Sequence, residues 1–137
     1  MYSYKYPRAA LTVDAIVFVK SEIASVLLIE RGREPFKNKW ALPGGFVDMD
    51  ETLEKACIRE LEEETGLHVK KMQQFRTYDA IDRDPRHRTI SVVYSVELEE
   101  VKPVKGSDDA AQAKWFPIDE LPELAFDHSD ILYDFFK

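Results

Sequence analysis

A short acidic segment bracketed by glycines constrains this chain more than any other part of its sequence. The segment Gly44–Leu67 reads GGFVDMDETLEKACIRELEEETGL. A proline followed by two glycines disfavours helix and permits backbone angles that other residues avoid, so we expect a turn at Pro43–Gly45. Gly66 is placed as the left-handed residue that ends a helix, with an apolar residue after it. The pattern therefore predicts a helix over about Glu51–Thr65.

One face of the predicted helix changes from apolar to acidic along its length. At about 100° per residue, one core-facing stripe is formed by Leu53, Cys57, Glu60 and Glu64. Glu63 lies close to the same face, so three carboxylates share the last two turns. Mutual repulsion and the helix dipole both act against negative charge at this position. Helix propensity and capping therefore do not explain the placement.

Two interpretations account for the clustered carboxylates. Charge-rich helices are more often solvated acidic faces with a few ion pairs. A divalent cation among Glu60, Glu63 and Glu64 would instead relieve the repulsion, and oxygen ligands without His or Cys favour Mg²⁺ or Mn²⁺. The surrounding features favour the metal, because the glycine turn, Glu51, Arg59 and the helix-ending glycine each serve a separate physical purpose.

Composition limits the class of protein. Of the 137 residues 45% are hydrophobic, enough for one core but hardly for two, so we expect a single domain over residues 1–137. A net charge of −7 and a pI near 5.0 disfavour partners such as nucleic acid or an anionic membrane. Cys57 is expected to be a buried packing residue. Without a recognisable leader or membrane span, the predicted location is cytoplasmic.

Apolar and alternating runs predict the remaining elements. Strands are expected over residues 11–19, 25–29, 40–43, 67–81, 89–98 and 113–118. Residues 82–88 would form a hairpin loop, and residues 119–124 a short helical turn. Asp127 would cap a closing helix with an apolar stripe at helical spacing. Mixed strands flanked by helices predict an α/β fold.

The acidic segment resembles the Nudix box, G-x5-E-x7-R-E-U-x-E-E-x-G-U, in which U is aliphatic. The box spans residues 45–67, and the matching positions are Gly45, Glu51, Arg59, Glu60, Leu61, Glu63, Glu64, Gly66 and Leu67. The preceding KWALPGG and the later WFPIDEL also resemble a Nudix domain, so the likeness spans nearly the whole chain. The resemblance implies the Nudix fold, an α/β/α sandwich built on a mixed β-sheet.

The resemblance also implies roles for the box residues. Catalytic divalent metals would be held by Glu60, Glu63, Glu64 and the backbone carbonyl of Gly44. Glu51 and Arg59 would support these ligands, with Arg59 pairing with Glu60 to orient its carboxylate. The alternative for Arg59 is an ordinary surface pair with Glu63.

The implied reaction is hydrolysis of the diphosphate linkage in a nucleoside diphosphate derivative. Metals neutralise the diphosphate oxygens and lower the pKa of an attacking water. Glu63 is the first candidate for the general base. Asp108 and Asp109, on the loop before the last strand, are the second candidates for the general base, since the same residues also suit a solvated turn.

Segments outside the box bear on the substrate. TYDAIDRDPRHRTISVVYSV and LPELAFDHSDIL resemble segments of ADP-ribose pyrophosphatases and of ADP-ribose-sensing Nudix regulators. This resemblance favours hydrolysis of ADP-ribose to AMP and ribose 5-phosphate. Positive charge for the phosphates or ribose would come from Arg31, Arg33, Arg83, Arg86 and Arg88.

Several alternatives stay open at this point. Trp40 and Trp115 either stack on adenine or belong to the core, and His128 either starts the last helix or contacts the ligand. An alternative to ADP-ribose hydrolysis is that the enzyme hydrolyses oxidised or ordinary nucleoside triphosphates. A non-catalytic ADP-ribose-sensing module is a further alternative if the chain belongs to a longer regulator. Dimers are common among similar enzymes, so a homodimer is compatible with the resemblance.

Overall fold

Residues 3–137 are described by a computed structural model. Within them, seven strands and two helices follow one another as β1 (Ala10–Val19), β2 (Ser25–Arg31), β3 (Trp40–Ala41), β4 (Gly44–Phe46), α1 (Leu53–Thr65), β5 (Gln73–Tyr78), β6 (Thr89–Leu98), β7 (Ala110–Pro117) and α2 (His128–Phe136). No helix in this part of the chain is long and apolar enough to cross a bilayer.

The seven strands form one mixed sheet around β1. The main order is β3-β2-β1-β6-β5, and β7 joins through β2. The β1 strand runs parallel to β6 along its whole length and antiparallel to its other partners. One edge of β1 has two partners, because β4 pairs with its start at Thr12 to Asp14 and β2 with its end at Phe18 and Val19. The mixed sheet predicted from the sequence is confirmed.

Alternate residues of β1 face two different cores, as the pleat of a strand requires. On one side Val13, Ala15 and Val17 pack in a cluster with the α1 residues Ala56, Cys57 and Leu61. On the other side Ile16 and Phe18 pack in a cluster with the α2 residues Ile131 and Leu132. Each helix therefore covers one face of the sheet, which confirms the predicted α/β/α sandwich and the burial of Cys57.

The ends of α1 follow from its capping residues. Thr52 is the N-cap, and its side chain accepts a hydrogen bond from the Lys55 amide. The predicted start at Glu51 is thus slightly early, and Glu51 lies just before the helix. Gly66 ends the helix as expected, with φ of 77° and its amide bonded to the Glu62 carbonyl.

The Gly44-Gly45 pair does not form the predicted turn. Both residues belong to β4, opposite Asp14 and Val13 of β1, and neither has a positive φ. Their small size serves close packing instead. A Cβ on Gly44 would lie 2.1 Å from the Val13 carbonyl oxygen, and one on Gly45 would lie 2.6 Å from the Glu60 carboxyl carbon. The glycines let β4 approach β1 and α1.

Three other predicted elements differ from the structure. Residues 67–72 and 79–81 are not part of β5, and Leu67 and Val69 are buried in the core cluster that contains α1 residues. Residues 119–124 contain no helical turn, and Leu124 forms an isolated bridge with Trp40. Asp127 occupies the N-cap position of α2, but its side chain makes no capping bond because it binds Arg83.

Candidate active site

A cleft of about 480 Å³ collects most of the residues proposed from the sequence. Its acidic lining includes Asp14, Glu60, Glu64, Asp108 and Asp109. Its basic and aromatic lining includes Arg31, Arg33, Arg83, Arg86, Phe46, Phe126 and His128. Opposite charges therefore face the same cleft, which suits a ligand that carries phosphate.

Glu60 and Glu64 are brought to the cleft by the helical spacing of α1. Glu64 is buried and accepts a hydrogen bond from the Gly44 amide at 2.8 Å, and the missing side chain of Gly45 makes room for the Glu60 carboxylate. Burial raises the pKa of Glu64 to about 9, and the charges of Glu60 and Asp14 act in the same direction. Burial also raises the pKa of Glu60, against the hydrogen bond from Arg59. The two carboxyl groups therefore lack full compensation for their charge.

Arg59 connects three carboxylates with one guanidinium. Its Nε and Nη2 donate to both oxygens of Glu51, at 2.9 and 2.6 Å. Its Nη1 donates to Glu60 at 2.9 Å and to Glu63 at 3.1 Å. The hydrogen bond to Glu51 is the main reason why the pKa of Arg59 is raised, although burial opposes it. Both pairings considered for Arg59 in the sequence thus occur together.

Glu63 does not join the other two glutamates. Its carboxylate is exposed, binds Arg59, and does not line the cleft. As the side chains of residues 3–137 stand, no three or more His, Cys, Asp or Glu residues are arranged to hold a metal. Glu64 is buried and Glu60 is partly buried, and their carboxylate oxygens have donor chemistry that fits a divalent cation. Glu63 could join them as a ligand only by leaving Arg59.

The loop before β7 is attached to the end of α1. The Lys105 amide donates to the Thr65 carbonyl and the Ser107 amide to the Glu64 carbonyl, each at 3.1 Å, and the Ser107 hydroxyl binds the Glu63 carbonyl. These bonds satisfy carbonyls that the last helical turn leaves free. They also hold Asp108, which has a φ of 57°, at the cleft.

Of the five arginines proposed from the sequence, three form ion pairs with carboxylates and a fourth donates to backbone carbonyls. Arg33 pairs with Asp109 at 2.9 Å, buried Arg83 binds both oxygens of Asp127, and Arg86 binds both oxygens of Asp84. Burial alone would raise the pKa of Asp84, but the hydrogen bonds from Arg86 lower it to about 2. Arg88 lies outside the cleft lining and donates to the Asp79 and Ala80 carbonyls.

Arg31 differs from the other arginines. It is half-buried at the cleft, and its Nε donates to the Pro35 carbonyl at 2.7 Å. Within the described residues it forms no ion pair. Burial lowers its pKa, and the charge of Arg86 acts in the same direction. Its guanidinium lies 4.9 Å from the centre of the Phe126 ring. Within residues 3–137 only its Nε donates a hydrogen bond from the side chain, so Nη1 and Nη2 are available to a ligand.

Of the two interpretations left open for Trp40 and Trp115, the structure supports the core position. Trp40 packs edge-on against Phe116, and Trp115 packs on the core while its Nε1 donates to the Lys102 carbonyl. The cleft is lined instead by Phe46 and Phe126. Phe126 has a φ of 52°, an uncommon backbone conformation for a bulky residue. Apart from the resemblance of the AFDH segment, no pattern in the sequence indicates Phe126 as a cleft residue.

His128 and Asp14 lie together at the cleft, although they are far apart in the chain. Nδ1 of His128 accepts a hydrogen bond from the Leu42 amide at 3.0 Å. Nε2 of His128 lies 3.7 Å from Oδ1 of Asp14, and Oδ2 of Asp14 accepts from the Ser91 hydroxyl at 2.5 Å. Asp14 is not among the site residues expected from the sequence. Its one signal was an acidic residue inside an otherwise apolar strand.

Comparisons with known proteins agree with this fold. The NUDIX domain family matches residues 9–135. The chain is 42% identical to an ADP-ribose pyrophosphatase of Methanocaldococcus jannaschii, over 96% of this chain and 76% of that protein. It is 33% identical to the ADPR responsive transcriptional repressor NtrR of Acinetobacter baylyi, over 96% of this chain but only 54% of the repressor.

A solved structure is also similar. The NUDIX domain of Shewanella oneidensis NrtR, crystallised with ADP ribose, superposes with a TM-score of 0.87 at 32% identity, over 96% of this chain and 90% of that one. Together with the box residues at the cleft, these matches define the class. The chain belongs to the Nudix family and is a Nudix pyrophosphohydrolase.

Proposed function

We propose that this chain hydrolyses the diphosphate linkage of ADP-ribose, giving AMP and ribose 5-phosphate, with a divalent metal. The cleft carries the proposal, because the carboxylates of buried Glu64 and partly buried Glu60 face the same space as an arginine with available donors. The 42% identity to an ADP-ribose pyrophosphatase and the likeness to a domain crystallised with ADP ribose support this ligand.

Nudix hydrolases generally use divalent metal ions, and the residues that would hold Mg²⁺ or Mn²⁺ here are Glu60, Glu64 and the carbonyl of Gly44. A bound ion of this kind neutralises diphosphate oxygens and lowers the pKa of water. Arg59 would keep the Glu60 carboxylate oriented, and Glu51 would fix Arg59. Glu63 would take part as a ligand only after leaving Arg59.

The chain's own residues would position the diphosphate and the attacking water. Arg31 would bind a non-bridging phosphate oxygen through its available donors. The water oxygen forms a bond to one phosphorus while the bond from that phosphorus to the bridging oxygen breaks. A general base takes the proton that the water loses. Asp108 is favoured over Glu63, because it lines the cleft whereas Glu63 is held by Arg59.

A substrate panel tests the proposal directly. ADP-ribose and 8-oxo-dGTP are incubated with Mg²⁺, with Mn²⁺ and with EDTA, and the products are identified by mass. We expect AMP and ribose 5-phosphate from ADP-ribose, faster turnover of ADP-ribose than of 8-oxo-dGTP, and no turnover in EDTA. Much slower turnover of ADP-ribose would instead favour a nucleoside triphosphate pyrophosphohydrolase.

The same assay separates catalysis from sensing. The identity to NtrR and the likeness to the NrtR domain support ADP-ribose sensing as the second candidate function. Binding of ADP-ribose without phosphate-ester products in Mg²⁺ or Mn²⁺ would favour that alternative. A Glu64→Gln variant serves as the matched control, since it should bind less metal and lose any turnover that is genuine.

Three organisational features remain predictions of this proposal. We expect a single domain over residues 1–137 and a cytoplasmic location, and the resemblance is compatible with a homodimer. Light scattering after size exclusion measures the oligomeric state, and limited proteolysis shows whether the chain resists cleavage as one unit.

A further inference from the structure

The hydrogen bonds of His128 fix its tautomer. His128 is the first residue of α2 and is only 3% exposed. Its Nδ1 accepts the Leu42 amide hydrogen at 3.0 Å, and a backbone amide can only donate. The ring therefore carries its single proton on Nε2. Burial lowers the pKa of His128 and so favours the neutral ring.

The Nε2 proton of His128 is not used by the protein. The oxygen that faces Nε2 is Oδ1 of Asp14 at 3.7 Å, which is beyond hydrogen-bond distance. Among residues 3–137, Nε2 has no other acceptor, and Oδ1 of Asp14 has no hydrogen-bond donor. No side-chain nitrogen or oxygen in this part of the chain is both sealed from solvent and unpaired. Both atoms therefore reach the cleft, which His128 and Asp14 line.

An N–H donor beside a carboxylate acceptor complements a group that can both accept and donate. A hydroxyl has this property, whereas an ionised phosphate offers only acceptors and would meet the charge of Asp14. We propose that His128 and Asp14 bind a sugar hydroxyl of the substrate, with Nε2 donating to the hydroxyl oxygen and Oδ1 accepting its hydrogen. This inference rests on the proposed function, since it assigns the residues that recognise the sugar part of the nucleotide.

Two substitutions of His128 separate this role from a structural one. In His128→Asn the side-chain oxygen can replace Nδ1 as acceptor of the Leu42 amide, but the donor in the cleft is lost. In His128→Gln the side-chain amide can replace the Nε2 donor, but the acceptor for Leu42 is lost. We expect His128→Asn to keep its Tm and bind ADP-ribose about tenfold more weakly. We expect His128→Gln to lower the Tm and bind with nearly unchanged affinity.

Deoxy analogues identify the hydroxyl. Wild type and His128→Asn are compared with ADP-ribose, with an analogue lacking the hydroxyls of the terminal sugar, and with one lacking the 2′ and 3′ hydroxyls of the adenosine. The readouts are calorimetric binding in EDTA and, where turnover occurs, kcat/KM with metal. The effect of His128→Asn should vanish for the analogue that lacks the contacted hydroxyl.

Each outcome bears on one proposal. A hydroxyl-dependent effect in either readout supports the sugar subsite, and an effect of equal size on all three ligands, or no effect on any, overturns it. If wild type binds ADP-ribose in a hydroxyl-dependent manner but does not hydrolyse it with metal, the proposed function fails while the subsite stands.

Discussion

Arg59 and Glu51 form a two-point ion pair across the start of α1. Nε donates to Oε2 at 2.9 Å and Nη2 to Oε1 at 2.6 Å, while Nη1 contacts Glu60 at 2.9 Å. The orientation of the Glu60 carboxylate therefore depends on a residue that lies before the helix. Glu51 acts on the cleft through Arg59, although it does not line the cleft itself.

Replacement of Glu51 by Gln should weaken both stability and metal use. The variant loses a charge-assisted pair, so we expect the free energy of unfolding to fall by about 1–2 kcal/mol. The metal concentration for half-maximal turnover should rise, because Arg59 no longer holds Glu60 in place. Denaturant melts and metal titrations measure the two effects. Glu62→Gln is the control on the same helix, since Glu62 is exposed and its side chain contacts His68. If Glu51→Gln and Glu62→Gln had the same stability and required the same metal concentration, Glu51 would not support Glu60 through Arg59.

Replacement of Gly45 by Ala should damage the site more than the fold. The added Cβ would lie 2.6 Å from the carboxyl carbon of Glu60 and must displace it. We expect a loss of turnover of at least tenfold at any metal concentration. Gly66→Ala is the matched control, because its Cβ meets no atom within 4 Å but its φ is 77°. That variant should lose about 1 kcal/mol of stability and keep its activity. Full activity of Gly45→Ala would show that Glu60 has room to move without effect.

Metal binding should become stronger as the pH rises. Without metal, the folded protein raises the pKa of Glu64 from 4.5 to about 9, so this group favours folding fully below 4.5 and loses that contribution as the pH approaches 9. A metal ligand must be deprotonated, so binding releases this proton. The increase in Tm caused by Mg²⁺ should therefore be larger at about pH 8.5 than at about pH 6. Glu64→Gln should remove the difference, and a Tm increase independent of pH in wild type would refute the assignment.

Asp108→Asn and Glu63→Gln should differ in their effect on catalysis. A general base contributes roughly 10²–10⁴ to the rate, so Asp108→Asn should lower kcat by that factor with little change in KM. Glu63→Gln should act mainly on the metal concentration required, because its carboxylate contacts Arg59 outside the cleft lining. Steady-state kinetics at saturating metal separate the two. A larger loss of kcat in Glu63→Gln than in Asp108→Asn would indicate that Glu63 is the general base.

Arg31→Ala should raise the KM for ADP-ribose about tenfold, because a half-buried guanidinium with available donors is removed from the cleft. Arg88→Ala should leave KM near the wild-type value, since Arg88 spends its donors on the Asp79 and Ala80 carbonyls. Initial rates over a range of ADP-ribose concentrations measure both. Similar KM values for the two variants would mean that Arg31 does not contact the substrate.

The sequence predicted those features of α1 that depend only on residues close together in the chain. The stripe of α1 and its end at Gly66 depend on helical spacing and on one left-handed residue, so both could be predicted from a short segment. The divergence of Glu63 from Glu60 and Glu64 could not, because it depends on where Arg59 points. Side-chain direction within one face of a helix is decided by neighbours that spacing does not reveal.

Long-range contacts explain the other misses. Ser91 bonds to Asp14 and Leu42 to His128 across 77 and 86 residues, so no motif could join them. Long-range contacts also decide that Arg31 lines the cleft and Arg88 does not, so the sequence could not distinguish the two. Both are arginines near strand ends, and the packing of the sheet alone turns one toward the cleft.

The amides of Lys105 and Ser107 bind the carbonyls of Thr65 and Glu64 at the final turn of α1. This attachment determines where the chain can change in length without moving the cleft residues. Residues 99–101, which follow β6, are exposed, and the chain after them is held at Lys102 by Trp115 and at Val104 by the core. Extra residues inserted at 99–101 should therefore leave Asp108 beside α1, so the chain could lengthen at this point without a change in the cleft.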